Sequence, residues 1–190
     1  MLTKDSTIEL ALPSTTDVLR LPRPSEIELE VMSYFEQYRD PILRYSISFG
    51  ISVHDAEEVA QEVFLALFRH LQLGRSQKNL RGWIYRVAHN LALKQRYANQ
   101  QFHARTEPDE DMEQQHDPSP NPEEQLSFAQ RRRRLLTVVH VLPETDQNCL
   151  RLRAEGLRYR EIAAVLGISL GSVSISLTRS IERLIRSDGR

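Results

Sequence analysis

The stretch RYREIAAVLGISLGSVSISLTRSIERLIR, residues 158–186, decides how the C-terminal part of the chain folds. Ile162 and Leu166 are four positions apart and predict a short helix with one buried face. Gly167 suits the tight turn after that helix, and Ser169 suits the N-cap of the next helix. The second helix is predicted to bury one stripe of apolar side chains: Val173, Leu177, Ile181 and Leu184. Two helices joined by a short glycine turn predict a helix-turn-helix unit, whose second helix enters the major groove of DNA.

An ordinary helical hairpin is the competing interpretation of this stretch. The order Glu-Ile-Ala-x-x-Leu-Gly-Ile-Ser favours the helix-turn-helix unit. The polar side of the second helix carries serines that can bond bases or phosphates, arginines that can bind phosphate or guanine, and an isoleucine that can meet a thymine methyl group. The candidate DNA contacts of the unit are Arg158, Arg160, Ser169, Ser172, Ile175, Ser176, Arg179 and Arg183.

The net charge of −1 conceals two basic bodies separated by an acidic strip. Residues 31–105 carry 10 basic and 6 acidic groups, and residues 131–190 carry 12 and 6. Residues 106–130 carry 8 acidic groups and no basic one. The basic bodies can be attracted to nucleic-acid phosphates. The strip, which has four prolines within residues 106–125, is predicted to be an extended linker because it cannot bury enough apolar surface to fold.

Residues 55–71, DAEEVAQEVFLALFRHL, form the most regular helical pattern in the chain. Ser52 is the predicted N-cap, and Asp55 lies near the positive end of the helix dipole. The predicted buried stripe consists of Ala56, Val59, Ala60, Val63, Phe64, Leu67 and Leu71. The opposite face is either an ordinary solvated surface or a binding surface, and it carries Glu58, Gln61, Glu62, Leu65 and Arg69.

Two further helices are predicted to share this core. The first covers about residues 29–49, and Pro41 is expected to kink or divide it. Its predicted core residues are Val31, Tyr34, Phe35, Tyr38, Ile42 and Leu43. The second covers about residues 79–97, with Trp83, Ile84, Val87, Ala88 and Leu91 on its core side.

The other side of the 79–97 helix is predicted to carry Tyr85, Arg86, His89 and Arg96, with Asn90 at the boundary. Arginine neutralises phosphate, tyrosine can stack on an unpaired base for about 1–3 kcal/mol, and asparagine can read base edges. A mixed polar helix face is more often only solvated, so this segment by itself leaves nucleic-acid binding open.

Composition disfavours several other classes of protein. The single cysteine, Cys149, excludes an internal disulfide and a multi-cysteine zinc site, and its apolar neighbours predict burial. No Glu-x-x-His pair lies in the predicted helices, so a metal-dependent helical enzyme is disfavoured and we expect neither a metal nor another cofactor. No run approaches the roughly 18 apolar residues of a membrane helix, and the N-terminus lacks a secretory signal. We therefore expect a cytoplasmic protein without membrane insertion.

Three segments in order resemble the extracytoplasmic-function sigma factors, the small two-domain initiation subunits of bacterial RNA polymerase. They are DAEEVAQEVFLALFRHL (55–71), GWIYRVAHNLAL (82–93) and LPETDQNCLRLRAEGLRYREIAAVLGISLGSV (142–173). The resemblance covers about residues 29–105 and 123–186 and implies an all-α fold of two small helical domains joined by an acidic flexible linker. The implied division is a mobile arm over 1–28, a sigma region 2-like domain over 29–105, an acidic linker over 106–122 and a sigma region 4-like helix-turn-helix domain over 123–190.

The resemblance implies a role for each face. In this family the helix that matches 55–71 docks on the clamp helices of the largest polymerase subunit, which implies core-polymerase contacts at Asp55, Glu58, Gln61, Glu62 and Leu65. The helix that matches 82–97 recognises and melts the −10 promoter element, which implies contacts at Tyr85, Arg86, His89, Asn90, Lys94 and Arg96. The helix-turn-helix unit reads the −35 element through the eight contacts named above. The linker is similar to family linkers that occupy polymerase channels otherwise used by RNA.

The chain departs from the family pattern at two places. Four residues after the family asparagine, Lys94 replaces the usual aspartate. In the recognition helix, Ser174 and Ser176 replace a lysine and an arginine. Since fewer cations release fewer counterions, we expect weaker and less salt-dependent upstream DNA binding than in a typical member, unless Arg179 and Arg183 compensate.

The predicted function is binding rather than catalysis: the polymerase supplies the chemistry, and this subunit selects the promoter. The implied partners are core RNA polymerase and promoter DNA, with an anti-sigma factor as a further candidate. The alternative is a helix-turn-helix regulator that binds operator DNA without polymerase and uses its N-terminal helices for dimerisation or for another partner. Co-purification with core polymerase distinguishes the two.

Overall fold

The computed structural model describes residues 25–103 and 135–188, and their regular structure is entirely helical. The helices are α1 (Glu26–Ile47), α2 (Val53–Gln72), α3 (Leu80–His103), a helical segment over 135–140 (α4), α5 (Glu144–Ala154), α6 (Tyr159–Leu166) and α7 (Leu170–Asp188). The predicted all-α fold is confirmed. The linker over 106–122 and residues 1–24 of the predicted arm lie outside the described residues.

Helix α1 begins at Glu26, before the predicted start near residue 29, and ends at Ile47, before the predicted end near residue 49. Its N-cap Ser25 accepts a hydrogen bond from the Glu28 N–H, and the Glu28 carboxylate accepts one from the Ser25 N–H at 2.6 Å. This capping box satisfies two N–H groups at the helix end, so residues 26–28 are helical and do not belong to an arm. Pro41 lies inside α1 without dividing it, and burial of Ile42 and Tyr45 in the next turn offsets the lost hydrogen bond.

Helix α2 confirms the predicted cap and stripe. The Ser52 hydroxyl accepts a hydrogen bond from the Asp55 N–H at 3.0 Å, which ties the first turn to the preceding loop. All seven predicted stripe residues are buried: Ala56, Val59, Ala60, Val63, Phe64, Leu67 and Leu71. They pack against α1 and α3. Phe35, predicted in this core, is instead exposed in part and contacts Phe64 edge-on at 4.9 Å between ring centroids.

The C-terminal helices form the predicted helix-turn-helix unit. Gly167 ends α6 with φ +67°, a left-handed conformation that favours glycine. Helices α6 and α7 then diverge by 108°, which lies in the range of such units. Val173 and Leu177 are buried as predicted, whereas Ile181 is exposed. The buried stripe of α7 continues from Leu177 to Ser180, which is fully buried, so Ile181 lies beside the stripe.

The buried residues of both helical units belong to one continuous apolar cluster. Helix α3 packs against α1, α2 and α6. Cys149 is buried within this cluster, as the sequence predicted. Among the described residues no single helix is long and apolar enough to cross a membrane. Helices α6 and α7 taken together are long and apolar enough by length and composition alone, but they are bent relative to each other by 108°.

Candidate promoter-DNA and polymerase interfaces

The exposed face of α3 carries a polar stripe that we call the α3 stripe: Arg86, Asn90, Lys94 and Tyr97. Steps of four, four and three residues keep these positions on one side of a helix. Asn90 and Lys94 are exposed, and the Tyr97 side chain is 53% exposed. The stripe combines two cations, an amide and an aromatic ring, which suit phosphate binding, base-edge bonding and stacking on an unpaired base.

Tyr85 does not lie on this face, contrary to the prediction. Its residue exposure is 1%, and its ring packs edge-on against Tyr45 at 5.6 Å between centroids. Burial raises the pKa of the hydroxyl above its ordinary value, with the Glu155 carboxylate adding to the effect. In this conformation Tyr85 cannot stack on a base, and Tyr97 is the tyrosine of α3 that can.

His89 is also buried rather than exposed to DNA. Its Nδ1 lies 2.8 Å from the Tyr45 hydroxyl, whose pKa burial raises. The hydroxyl therefore stays protonated, and it shares with Nδ1 one hydrogen bond whose direction is set by the tautomer of the ring. Burial, assisted by the charge of Arg151, lowers the pKa of His89 to about 4. His89 is thus neutral at physiological pH and supplies no charge for a phosphate.

The remaining α3 candidate, Arg96, is half-buried and lies near another charged side chain. One guanidinium nitrogen lies 3.6 Å from a Glu144 carboxylate oxygen at the start of α5. An exposed pair of this length contributes little stability, so Arg96 remains available to a phosphate.

The polar face of α2 has a different character from the α3 stripe. Glu58, Gln61, Glu62 and Leu65 are all exposed. Gln61 and Leu65 also line an apolar groove of about 540 Å³ between α1 and α2, together with Glu28, Val31, Met32, Phe35, Phe64 and Phe68. The α2 face is therefore an acidic surface beside an apolar groove, a combination suited to a basic protein surface with an apolar anchor.

Asp55 differs from the other predicted polymerase contacts of α2 because its carboxylate is hydrogen-bonded within the fold. Gln95 donates a hydrogen bond to one carboxylate oxygen at 2.9 Å, and Asn99 donates to the other at 2.8 Å. Burial alone would raise the pKa of Asp55, but hydrogen bonds from Asn99, Ser52 and Gln95 hold it below its ordinary value. Asp55 joins α2 to α3 through these hydrogen bonds, and its polymerase contact stays a prediction.

The outer face of the helix-turn-helix unit presents most of the predicted −35 contacts. Arg158, Arg160, Ser169, Ser172, Ile175 and Arg183 are exposed. Ser169 has a second role as the N-cap of α7, because its hydroxyl accepts a hydrogen bond from the Ser172 N–H at 3.0 Å. The face is poor in charge where Ile175 projects, which favours apolar contact with a thymine methyl group.

Ser176 and Arg179 have contacts inside the unit instead. Ser176 is buried and hydrogen-bonds Asp146. Arg179 makes a two-pronged ion pair with the same carboxylate, at 2.9 Å from Nε and 2.7 Å from Nη2. Burial raises the pKa of Asp146, but the hydrogen bonds from Arg179 and Ser176 outweigh burial, so the pKa lies below its usual range. The predicted base contact of Ser176 is therefore wrong for this conformation, and Arg179 anchors α7 to α5.

We expect Asp146→Asn to lower the free energy of unfolding of the C-terminal unit by about 2 kcal/mol, because bidentate charge-assisted hydrogen bonds are lost. The folded pKa is below the ordinary 3.8, so the contribution is present above pH 3.8 and is lost as the pH falls further. Thermal unfolding followed by far-UV circular dichroism measures it. Glu182→Gln, which breaks only the exposed pair with Arg186, is the control, and equal melting of the two variants would contradict the assignment.

Sequence reasoning missed two features of these surfaces. Tyr97 follows Asn90 by seven residues, and that helical spacing is a signal for a shared face. The apolar groove gave a weaker signal: Met32 and Phe68, which line it, lie outside the predicted buried stripes. Within the described ranges, no cluster of three or more His, Cys, Asp or Glu side chains could hold a metal ion.

Each helical unit matches a family model, and both models describe regions of the same protein family. A family model described as Sigma-70 region 2 matches residues 34–101, and one described as Sigma-70, region 4 matches residues 132–184. The RNA polymerase sigma-H factor of Pseudomonas aeruginosa is 30% identical over 159 residues, covering 78% of this chain and 80% of that protein. The ECF RNA polymerase sigma factor SigE of Mycolicibacterium smegmatis is 30% identical over 149 residues, which cover 78% of this chain but 57% of the relative's own length.

A solved structure has a similar fold. It is the sigma factor RpoE in complex with the anti-sigma factor NepR from Bartonella quintana, with a TM-score of 0.62 at 15% identity. The likeness covers 83% of this chain and 96% of that one. At this identity the comparison supports the two-unit helical fold alone.

Proposed function

This chain belongs to the extracytoplasmic-function sigma factors of the sigma-70 superfamily, and we propose that it therefore binds core RNA polymerase and directs it to specific promoters. Its action lies in the cytoplasm, where polymerase and chromosome meet. An anti-sigma factor is a further proposed partner.

The observation that carries this proposal is the pairing of two different DNA-facing surfaces on one chain. The α3 stripe suits single-stranded DNA because it offers a stacking ring beside base-edge and phosphate donors. The outer face of α7 suits a duplex major groove. A regulator of operator DNA needs only the second surface, so the α3 stripe and the acidic α2 face favour the sigma factor over that alternative.

The roles of the individual residues follow from these surfaces. Glu58, Gln61, Glu62 and Leu65 contact the polymerase, with the apolar groove receiving an anchor. Asn90 bonds an unpaired base of the −10 element, Arg86, Lys94 and Arg96 bind phosphates, and Tyr97 stacks. The exposed residues of the helix-turn-helix unit bind the −35 element. The subunit adds selection, and the polymerase catalyses.

Run-off transcription with purified core polymerase on a fragmented genomic library tests the proposal directly. We expect the chain to start transcripts at sites that core polymerase alone ignores. Transcription from no such site, while the chain remains folded, would contradict the proposed function.

Asn90→Ala is expected to reduce promoter opening by about tenfold to a hundredfold, because a base-edge contact of about 1–3 kcal/mol is lost. Affinity for core polymerase should change by less than about twofold, since Asn90 lies on α3 and not on the α2 face. Permanganate footprinting measures opening, and co-elution measures polymerase binding. Gln37→Ala, an exposed amide on α1, is the control. Equal loss of opening and of polymerase binding would contradict the −10 assignment.

A further inference from the structure

The first half of α7 carries no side chain that reads guanine or adenine by paired hydrogen bonds. Residues 170–178, LGSVSISLT, contain no charged side chain and no amide. Arginine or lysine on guanine and asparagine or glutamine on adenine make the two-bond contacts of the major groove. Because a recognition helix presents its N-terminal residues to the base edges, this stretch selects bases by another chemistry.

Ile175 is the large side chain of this stretch that faces outward from its centre. It is the sixth residue of α7 and is 66% exposed. The positions one turn before and one turn after it are Gly171, Ser172, Thr178 and Arg179. All four are exposed, and three of them are small. No bulky neighbour among these four except the arginine therefore limits the approach of the isoleucine to a base edge.

The polar groups nearest to this isoleucine have partners within the helix-turn-helix unit. The Ser172 hydroxyl lies 2.8 Å from the Ser169 hydroxyl in the cap of α7. Arg179, the first cation of α7, is bound by both carboxylate oxygens of Asp146. The next cation, Arg183, lies about 12 Å further along the helix axis, where a recognition helix meets the DNA backbone. Apolar contact is therefore the readout that the first half of α7 offers.

An exposed isoleucine also suits a protein-binding surface, but such a surface needs a contiguous apolar patch. The other exposed large apolar side chains of α7 are Leu170, Ile181 and Ile185. They are rotated from Ile175 by about 80–140° around the helix axis, at 100° per residue. A lone apolar side chain among small polar ones fits the C5-methyl group of thymine, which lies in the major groove.

We propose that Ile175 selects thymine in the upstream promoter element by contact with its 5-methyl group. This inference rests on the proposed function, because it takes the outer face of α7 as the −35 surface. The contact removes apolar surface of both partners from water, and unmethylated cytosine and uracil do not provide it. The chemistry recognised is a 5-methylpyrimidine, so 5-methylcytosine in place of thymine supplies the same contact.

Removal of the methyl group from the DNA tests the contact without a change in the protein. Duplexes are first selected from a random-sequence pool by the full chain, both free and bound to core polymerase. Deoxyuridine then replaces each thymine of a selected duplex in turn, which deletes one methyl group and keeps every base-pair hydrogen bond. We expect at least one position at which affinity falls by about fourfold, the effect of one buried carbon. If no thymine is sensitive, or if neither form of the protein selects a duplex, the proposal is overturned.

A double-substitution cycle assigns the methyl contact to one side chain. Ile175→Ser introduces a residue of similar helix propensity at an exposed position, and melting checks that the variant is folded. Its affinities for the thymine and deoxyuridine duplexes should agree within about 1.5-fold, because the partner of the methyl group is gone. Ile185→Ser, the control, removes an isoleucine of the same 66% exposure and should keep the difference of about fourfold. The same difference in Ile175→Ser as in wild type overturns the proposal.

Cytosine provides a second comparison at the sensitive position. A cytosine–guanine pair in place of thymine–adenine should weaken binding. 5-Methylcytosine in that pair should bind at least about twofold more tightly than cytosine, and this gain should vanish in Ile175→Ser. Equal affinity of wild type for the two cytosine duplexes would show that the methyl group is not read, which overturns the proposal.

The outcomes separate the inference from the function on which it rests. If the chain never forms a holoenzyme with core polymerase, the proposed function fails, and the duplexes selected by the free chain still decide whether Ile175 reads a methyl group. If holoenzyme forms and opens promoters but no methyl group in its selected duplexes is coupled to Ile175, the methyl readout alone is wrong.

Discussion

Acidification from pH 6.5 to pH 4 is expected to destabilise the N-terminal unit by about 3 kcal/mol through His89 alone. The folded pKa of His89 is lowered from 6.5 to about 4 by burial and by Arg151. Between these two pH values, His89 therefore binds a proton in the unfolded chain but not in the folded chain. Stability is retained above pH 6.5 and falls as the pH drops toward 4, because protonation favours the unfolded state.

Urea unfolding of wild type and of His89→Asn at the two pH values measures this effect. Asparagine places a polar atom near the position of Nδ1, which shares a hydrogen bond with the Tyr45 hydroxyl in the wild type, and it does not titrate. The stability lost on acidification should be about 3 kcal/mol smaller in the variant. His54→Asn is the control, since the His54 side chain is 81% exposed. A loss of the same size in His89→Asn and wild type would contradict a buried neutral histidine.

The helices and their caps could be predicted because their signals are local. Ser52, Ser169 and Gly167 act within three or four residues of their own position, and the α2 stripe repeats on the helical period. A capping serine or a left-handed glycine imposes its geometry whatever the tertiary contacts are. Their prediction therefore required no knowledge of which helices pack against each other.

The burial of Tyr85 and His89 could not be predicted in the same way. The helical periodicity predicted one apolar stripe on α3, through residues such as Ile84 and Ala88. It placed the next positions, Tyr85 and His89, on the solvent-exposed side. Helix α3 packs against α1 and α2 and also against α6 and the turn between α5 and α6, so its buried arc is wider than one stripe. The width of that arc depends on contacts far apart in the chain.

The burial of Ser176 could not be predicted for a related reason. A serine on a recognition helix is equally suited to a base and to a carboxylate from its own fold, and its sequence neighbours do not distinguish them. The carboxylate belongs to Asp146, thirty positions away, on α5. Family resemblance assigned a role to the position, while packing decided where the hydroxyl lies.

Reversal of two charges on α2 is expected to have the largest effect on function. Glu58→Lys with Glu62→Lys places two cations on the acidic α2 face, one turn apart, where a basic polymerase surface is proposed to dock. Loss of such charge pairs costs about 2–5 kcal/mol, so we expect affinity for core polymerase to fall by about a hundredfold. Binding of the free chain to upstream duplex DNA should persist, because α7 is unchanged.

A control variant with the same change of charge can be made on the neighbouring helix, α1. Glu36 and Asp40 are exposed on α1 with the same four-residue spacing, and Glu36→Lys with Asp40→Lys changes the net charge by the same amount. Fluorescence anisotropy with labelled core polymerase compares the two double variants, after melting shows that both are folded. If the α1 pair weakens binding as much as the α2 pair, total charge and not the α2 face governs docking. If the α2 variant binds like wild type, the polymerase contacts lie elsewhere on the chain.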